Sequence, residues 1–334
     1  MPAQSPAHDI YFRTSIGACN HDGHIRVYMQ DVIGKFREAM YEKDWSNGTE
    51  KNVVAAAKID SPLAIRLFYL TSNNMVKETV YDHNKGWREG DMGKMEIHTA
   101  PYSMITADHC SSLNVGRLYV QLPDNTIQEF GFSGWLKFLI YRKGLTNVFD
   151  RRKLWLEENG KPWPCTAWYS YYVHQLQGIS PEHAVSLFKP SKVSFLTDFS
   201  VYFQDVNQTL KEKCFDEGRS WYDGSFRVLN STFVPLRASL ACTSYNIASE
   251  KIGIHVFFVT AKGLQEMVFD GKWREGKLDV ECILGSEVTA TSWGTGKDVQ
   301  LRVYFQKGEH VSGISEWVFR QDKWEVGKRV LPPA

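Results

Sequence analysis

The sequence predicts an all-β chain folded as a six-bladed β-propeller of four-stranded antiparallel blades, and three observations carry that prediction. A strand–turn–strand unit recurs six times along the chain. In most copies an arginine near the start of the first strand is matched by a glutamate about twelve residues on. Three positions after each glutamate stands an aromatic residue, and a tryptophan follows the glutamate within nine. The copies start near residues 26, 66, 117, 200, 255 and 302, mostly 40 to 55 residues apart, which is the length of one blade. Length alone would divide 334 residues into two domains. The repeat instead makes 1–334 a single propeller domain, with units centred near 26–45, 66–87, 117–135, 200–221, 255–273 and 302–324.

The first unit sets the pattern. Apolar and polar residues alternate from Ile25 to Gln30, so Ile25 and Val27 share one face of a strand and Arg26 and Tyr28 the other. Asp31-Val32-Ile33-Gly34 supplies a turn, with Gly34 able to take a positive φ. Folding back about that turn is expected to bring Arg26 and Glu38 face to face, an ion pair worth about 0.2–1 kcal/mol if it stood alone. Arg66 and Glu78, and Arg117 and Glu129, keep the same spacing around different turns. Later copies depart from it: Ser200 stands where the arginine before Glu212 belongs, His255 precedes Glu266 by eleven residues, and Arg302 precedes Glu316 by fourteen. The trailing aromatics are Tyr41, Tyr81, Phe132, Phe215, Phe269 and Phe319, and the tryptophans are Trp45, Trp87, Trp135, Trp221, Trp273 and Trp324. Glycine often comes next, as at Gly48 and Gly327.

Taken in order, Thr14 to Cys19 reads as the innermost strand of the first blade. The second blade is compressed, because Ser61 to Ile65 runs directly into Arg66 and leaves its inner strand shortened or absent. Ser103 to Cys110 begins the third. Between 136 and 195 an aromatic-rich insertion breaks the period, with Thr166 to Val173 expected as the inner strand of the fourth blade. The insertion reads either as a cap on a blade edge or as a wall over an apolar pocket. Blades five and six are regular.

Composition excludes several classes. Net charge is +1 with the signs interspersed, so neither nucleic acid nor an anionic membrane surface is expected as a partner. No apolar run is long enough to span a bilayer. The first nine residues have neither a charged n-region nor an apolar h-region, and a cytoplasmic location is expected. Six cysteines without a C-x-x-C pair suit buried, reduced thiols. Gly131 to Gly134 is not a nucleophile elbow, Gly294 to Lys297 is not a P-loop, and no H-E-x-x-H occurs. His21 and His24 flank an Asp-Gly turn without a third nearby ligand. No cofactor and no metal is therefore expected.

The repeated hairpin, its glutamate and the tryptophan after it resemble the fungal fucose-specific lectins of the orange-peel mushroom type. The resemblance runs from about residue 11 to 328, strongest at 25–62 and 299–327 and weak across 136–195. It implies sugar pockets between adjacent blades, in which Arg and Glu of one blade meet the hydroxyls and the aromatic and Trp of the next cover the apolar face. Carried over residue by residue, the first pocket would use Arg26, Glu38, Tyr81 and Trp87, and the second Arg66, Glu78, Phe132 and Trp135. The third would use Arg117, Glu129, Phe215 and Trp221, and the last, across the closure, Arg302, Glu316, Tyr41 and Trp45. At Ser200 and His255 the pattern fails, and both pockets are expected to be inactive.

Two functions follow. One is a multivalent lectin whose partner is a fucosylated glycan. The other, by analogy of fold alone, is a cofactor-free enzyme of fungal secondary metabolism, such as a hetero-Diels-Alderase or cyclase joining a polyketide-derived quinone methide to a terpene. Its small apolar substrate would be held by Trp155, Trp163, Trp168, Tyr169, Tyr171 and Tyr172, with His174 or His255 as donors. Such propellers commonly dimerise, so a homodimer is expected.

Overall fold

The computed structural model describes residues 10–21, 23–47, 56–57, 64–82, 85–90, 92–101, 103, 105–110, 115–123, 127–133, 157–158, 161–162, 172–174, 199–204, 208–215, 222–228, 233–235, 238–248, 251–308, 313–328 and 330–332. Five four-stranded sheets, one three-stranded sheet and a small two-stranded hairpin are found among them. The first sheet holds β1 (Gly17–His21), β2 (His24–Gln30), β3 (Phe36–Tyr41) and β4 (Trp45–Asn47). The second holds β5 (Ala56–Ala57), β6 (Ala64–Leu70), β7 (Val76–Asp82) and β8 (Gly86–Glu89). In the third lie β9 (Ile105–Cys110), β10 (Val115–Gln121) and β11 (Ile127–Ser133). The hairpin β12 (Glu157–Glu158) and β13 (Lys161–Pro162) precedes the fourth sheet, β14 (Tyr172–His174), β15 (Phe199–Gln204), β16 (Leu210–Phe215) and β17 (Tyr222–Asp223). The fifth is β18 (Leu240–Ala248), β19 (Lys251–Thr260), β20 (Gly263–Phe269) and β21 (Trp273–Val280). The sixth is β22 (Val288–Trp293), β23 (Gln300–Phe305), β24 (Ser315–Arg320) and β25 (Lys323–Val326).

The strands fall in two compact units. Met1–Ala56, Ser231–Pro235 and Ser239–Ala334 make the first, and Ala57–Asn230 with Leu236–Ala238 the second. The first unit thus carries sheets one, five and six. There Ile25, Val27 and Met29 of β2, all wholly buried, pack with Ile10, Ala39, Trp45, Tyr304, Ile314 and Leu331. Burying one such aliphatic side chain is worth about 1.5–3 kcal/mol, so the alternation read at 25–29 is what seats the first sheet against the sixth. The inner strands are also stitched together: Asn20 Nδ2 donates to Ser292 O at 2.9 Å, and Thr243 Oγ1 to Ser292 Oγ at 2.7 Å. In the second unit Phe68, Val76, Met92, Ile97, Leu118 and Val120 form the corresponding core.

Several expectations are corrected. The innermost strand of the first sheet starts at Gly17, because the Thr14 hydroxyl is engaged as acceptor for Gln30 N–H at 2.9 Å. The inner strand of the second sheet, expected to be shortened or absent, is the dipeptide Ala56–Ala57. β9 starts at Ile105 and β14 spans Tyr172–His174; residues 166–171 and most of 136–195 lie outside the described residues.

The hairpin register brings a further correction. Arg26 is paired with Met40 and Tyr28 with Glu38, so arginine and glutamate sit one diagonal step apart on the same face. The turn runs from Asp31 to Lys35, one residue longer than the expected tetrapeptide, and Gly34 takes φ 84° within it. The offset recurs in every sheet: Phe68 faces Glu78, Tyr119 faces Glu129, Tyr202 faces Glu212, Phe257 faces Glu266 and Tyr304 faces Glu316. Spacings of eleven and fourteen residues leave this register unchanged, because the turns absorb the difference.

Candidate functional site

The repeated glutamates form the geometric centre of each unit. In four sheets the carboxylate lies on the outermost stretch of its own sheet and accepts a backbone N–H there: Glu78 Oε2 from Met92 at 3.0 Å, Glu212 Oε2 from Phe226 at 3.0 Å, Glu266 Oε2 from Lys277 and Leu278 at 2.8 and 3.0 Å, and Glu316 Oε2 from Lys328 at 2.8 Å. This close approach explains the glycine three residues after five of the six tryptophans, Trp135 being followed at that position by Phe138. A Cβ on Gly90, Gly224, Gly276 or Gly327 would fall 2.2, 2.0, 2.1 or 2.4 Å from the carboxylate oxygen of its partner glutamate. Gly48, the corresponding residue of the first sheet, lies outside the described residues.

With Oε2 held by backbone, Oε1 is left for a cation. In the sixth sheet Arg302 Nη1 donates to Glu316 Oε1 at 2.8 Å, both side chains being almost fully buried, and Tyr304 Oη donates to the same oxygen at 3.3 Å. Burial, then the charge of Glu316, pushes the Tyr304 phenol well above its ordinary range, so it stays a neutral donor. The first sheet completes this junction. Trp45 Nε1 donates to Glu316 Oε2 at 3.1 Å, the Tyr41 ring lies 5.1 Å from the Arg302 Cζ, and Trp293 of β22 flanks the guanidinium at 5.4 Å. All four residues expected at the closure, Arg302, Glu316, Tyr41 and Trp45, thus meet. Among the described residues, Arg302 Nε and Nη2 are buried donors that find no hydrogen-bond partner. Such orphan N–H groups are costly in a closed core and mark the place where an acceptor atom belongs.

The junction of the fifth and sixth sheets repeats this plan with one substitution. His255 Nδ1 hydrogen-bonds Glu266 Oε1, and Trp324 Nε1 donates to Glu266 Oε2 at 3.1 Å. Phe319 stands edge-on to the imidazole at 5.4 Å and Tyr245 tilts over it at 5.6 Å, in the positions of Tyr41 and Trp293. Burial alone would raise the Glu266 carboxyl; His255, Leu278 N–H and Trp324 N–H outweigh it and hold the group below the usual carboxylate range. The tighter hairpin expected to spoil this junction therefore does not displace its residues.

Elsewhere the arrangement varies. Arg66 Nη1 donates to Glu78 Oε1 at 2.5 Å, and the Tyr81 and Trp87 rings of the same sheet lie tilted to each other with centroids 5.3 Å apart. Arg26 does not reach Glu38: its Nη2 donates to Glu42 Oε1 at 2.5 Å, and His24 engages the other oxygen of Glu42. Burial opposes ionisation of Glu42, and the hydrogen bonds from His24 and Arg26, with the charge of Arg26, outweigh it and lower its pKa. Where serine replaces arginine, Ser200 Oγ lies 3.4 Å from Cys214 Sγ, and Glu212 Oε1 takes the Tyr202 hydroxyl at 2.8 Å instead. Arg117, Glu129, Phe132 and Phe215 are placed as strand positions, and Trp135 and Trp221 lie outside the described residues. So do Trp155, Trp163, Trp168, Tyr169 and Tyr171, the proposed wall of the cyclase reading; Tyr172 and His174 are placed only as positions of β14. Among the described residues no group of three His, Cys, Asp or Glu could hold a metal ion.

The model of the fungal fucose-specific lectin family matches residues 10–139 and 175–334. The chain belongs to that family. The fucose-specific lectin of Aspergillus fumigatus is 32% identical over 350 residues, covering 98% of each chain, and one from Aspergillus oryzae is 33% identical over 345 residues with the same coverage. Among solved structures, SapL1 lectin in complex with alpha methyl fucoside aligns with a TM-score of 0.75 at 28% identity, over 99% of this chain and 100% of that one. The Aleuria aurantia lectin, described as a six-bladed β-propeller, aligns with a TM-score of 0.66 at 22% identity over 97% of both. The fold is an all-β propeller.

Within this fungal lectin-family chain, sequence reasoning missed two groups of participants. The aromatic two residues after the arginine position is one, and its signal was the regular x-Tyr or x-Phe at 28, 68, 119, 202, 257 and 304. The glycine after tryptophan was noticed, but not the room it leaves for the glutamate. Trp293 and Tyr245 are the second group, and their signal was the shared Thr-Ser-aromatic run at 291–293 and 243–245.

Proposed function

We propose that this chain is a multivalent lectin binding L-fucose-containing glycans in pockets between adjacent blades of a six-bladed propeller. The observation that carries the reading is the pair of unpartnered, buried guanidinium donors on Arg302, bracketed by Tyr41 and Trp293 beside a carboxylate already held in place. A guanidinium presents fixed N–H donors to the oxygens of a sugar, and aromatic faces accept the apolar side of the ring and the methyl group of fucose. The relatives named above are fucose-specific lectins, and the structure similar at 28% identity holds a methyl fucoside. Arg66 with Glu78 keeps the same ion pair, and Arg117 with Glu129 the same register, so both are assigned to further pockets. Single shallow pockets bind weakly, and several on one chain raise avidity.

The test is a glycan array followed by calorimetry with methyl α-L-fucoside. Fucosylated glycans should be retained selectively, and Arg302→Ala should remove one equivalent of bound sugar per chain. Absence of any fucose-dependent signal from the folded chain would overturn the reading.

A further inference from the structure

We infer that the junction built on His255 is a ligand pocket of the same design whose filling requires a proton. This rests on the lectin reading and concerns its fifth–sixth junction. The two junctions of the first unit superpose in role residue by residue: Glu266 for Glu316, Trp324 for Trp45, Phe319 for Tyr41 and Tyr245 for Trp293. Burial is equal as well, with side-chain exposure of 3% for both His255 and Arg302 and 1% for both glutamates. The tryptophan tie and the edge-on aromatic from the sixth sheet are both kept although histidine stands where arginine does next door. Gly276 still leaves room for Glu266, its missing Cβ lying 2.1 Å from Oε2.

What differs is the chemistry of the donor. Guanidinium offers N–H groups at every accessible pH, whereas an imidazole changes charge in the range between about pH 5 and 8. Glu266 Oε1 is an acceptor, so Nδ1 of His255 carries a hydrogen in either charge state. In the neutral ring Nε2 is then a lone pair, and Tyr245 Oη lies 3.4 Å from it as the available donor. A ring or glycosidic oxygen of a sugar, which has only lone pairs to offer, finds no partner there. Protonation turns Nε2 into a donor and supplies what Arg302 supplies next door.

Of the charged groups nearby, Glu266 of its own sheet is in contact with the imidazole, while Asp270 and Arg274 of that sheet and Asp322 of the sixth act on the adjoining Tyr245 phenol, which burial first of all pushes up to about 12. Arg274 is paired with Asp270 at 2.9 Å and Lys277 with Asp322 at 2.7 Å, which leaves Glu266 as the uncompensated charge in contact with His255. Val268 and Thr243, opposite it in register, and Phe319 and Trp324 across the junction carry no charge.

Calorimetric titration of the full chain with methyl α-L-fucoside tests this at about pH 8 and about pH 5. The natural chain should gain one bound sugar per chain on acidification, because only the charged ring offers Nε2–H to the ligand. His255→Ala should show the lower stoichiometry at both pH values, and His255→Arg the higher one at both. A stoichiometry that does not change with pH in the natural chain overturns the inference while leaving the lectin reading intact, and this holds even if neither variant folds. A gain that persists in His255→Ala also overturns it. Failure to bind the fucoside at either pH overturns both.

Discussion

Replacing Glu316 by glutamine tests the site most directly, because the two side chains have the same shape and differ in charge and in one acceptor. The carboxylate receives four donors: Arg302 Nη1 at 2.8 Å and Tyr304 Oη at 3.3 Å on Oε1, Lys328 N at 2.8 Å and Trp45 Nε1 at 3.1 Å on Oε2. An amide can accept on one side only. Its NH2 must therefore face either two N–H groups or the guanidinium and phenol, of which only the phenol can turn to accept. The Arg302 charge, with Nε and Nη2 already unpartnered, is then left buried without its counter-ion. Orphaning one member of a buried pair costs about 3–5 kcal/mol, a large share of the roughly 5–15 kcal/mol that holds a folded protein together. Urea unfolding at neutral pH, followed by far-UV circular dichroism, should show the midpoint falling accordingly, with one equivalent of fucoside lost per chain. A loss below about 1 kcal/mol with full stoichiometry would refute the argument that this carboxylate is both counter-ion and clamp.

Three further outcomes are expected. Trp45→Phe keeps the ring but removes the N–H to a charged oxygen, and should cost about 1.5–3 kcal/mol in urea unfolding together with weaker fucoside binding. Gly327→Ala would place its Cβ 2.4 Å from Glu316 Oε2 and should lower the melting temperature by the equivalent of about 1–3 kcal/mol, whereas Gly308→Ala, with nothing within 4 Å, should be silent. Burial pushes the Glu287 carboxyl up from 4.5 to about 8, against the lowering effect of the Ser239 hydroxyl that donates to it at 2.9 Å. Its folded-state pKa is raised, so the native chain holds a proton that the unfolded chain has released, and stability falls as pH rises from about 4.5 to about 8. Urea midpoints of the natural chain and Glu287→Gln, compared across that window, should differ in slope, the variant being the flatter.

The period of the repeat was legible because four features recur together: alternation, turn, glutamate and tryptophan. Each is tied to a physical need that does not vary from sheet to sheet. The partnership of arginine with glutamate was legible only in outline. Spacing in sequence does not reveal register, and a turn running from Asp31 to Lys35 shifts the pair by one diagonal step and brings tyrosine opposite glutamate instead. Arg26 illustrates the limit further, since Glu42 lies within its reach and takes its Nη2, a competition invisible in a repeat alignment. The flanking rings Trp293 and Tyr245 hold one place in their inner strands, two residues after the threonine that lies opposite Arg302 or His255, a position that only the register between strands brings to the site.

The glutamate persists where the cation does not, and this orders its duties. In the fourth sheet, with serine at position 200, Glu212 still accepts Phe226 N–H at 3.0 Å and still sits over a glycine whose Cβ would strike it at 2.0 Å. Its first duty is therefore to fasten the outer edge of its own sheet. Arg, His or Ser can stand at the arginine position without changing the strand register. The consequence is measurable. Glu212→Gln orphans no buried cation, and the Tyr202 hydroxyl that donates to Oε1 at 2.8 Å can rotate to accept from the amide. That substitution should cost only about 0.5–1.5 kcal/mol in urea unfolding, the worth of one ordinary hydrogen bond. Equal losses for Glu212→Gln and Glu316→Gln would mean that Arg302 contributes nothing to the difference and that the clamp alone explains why the carboxylate is there.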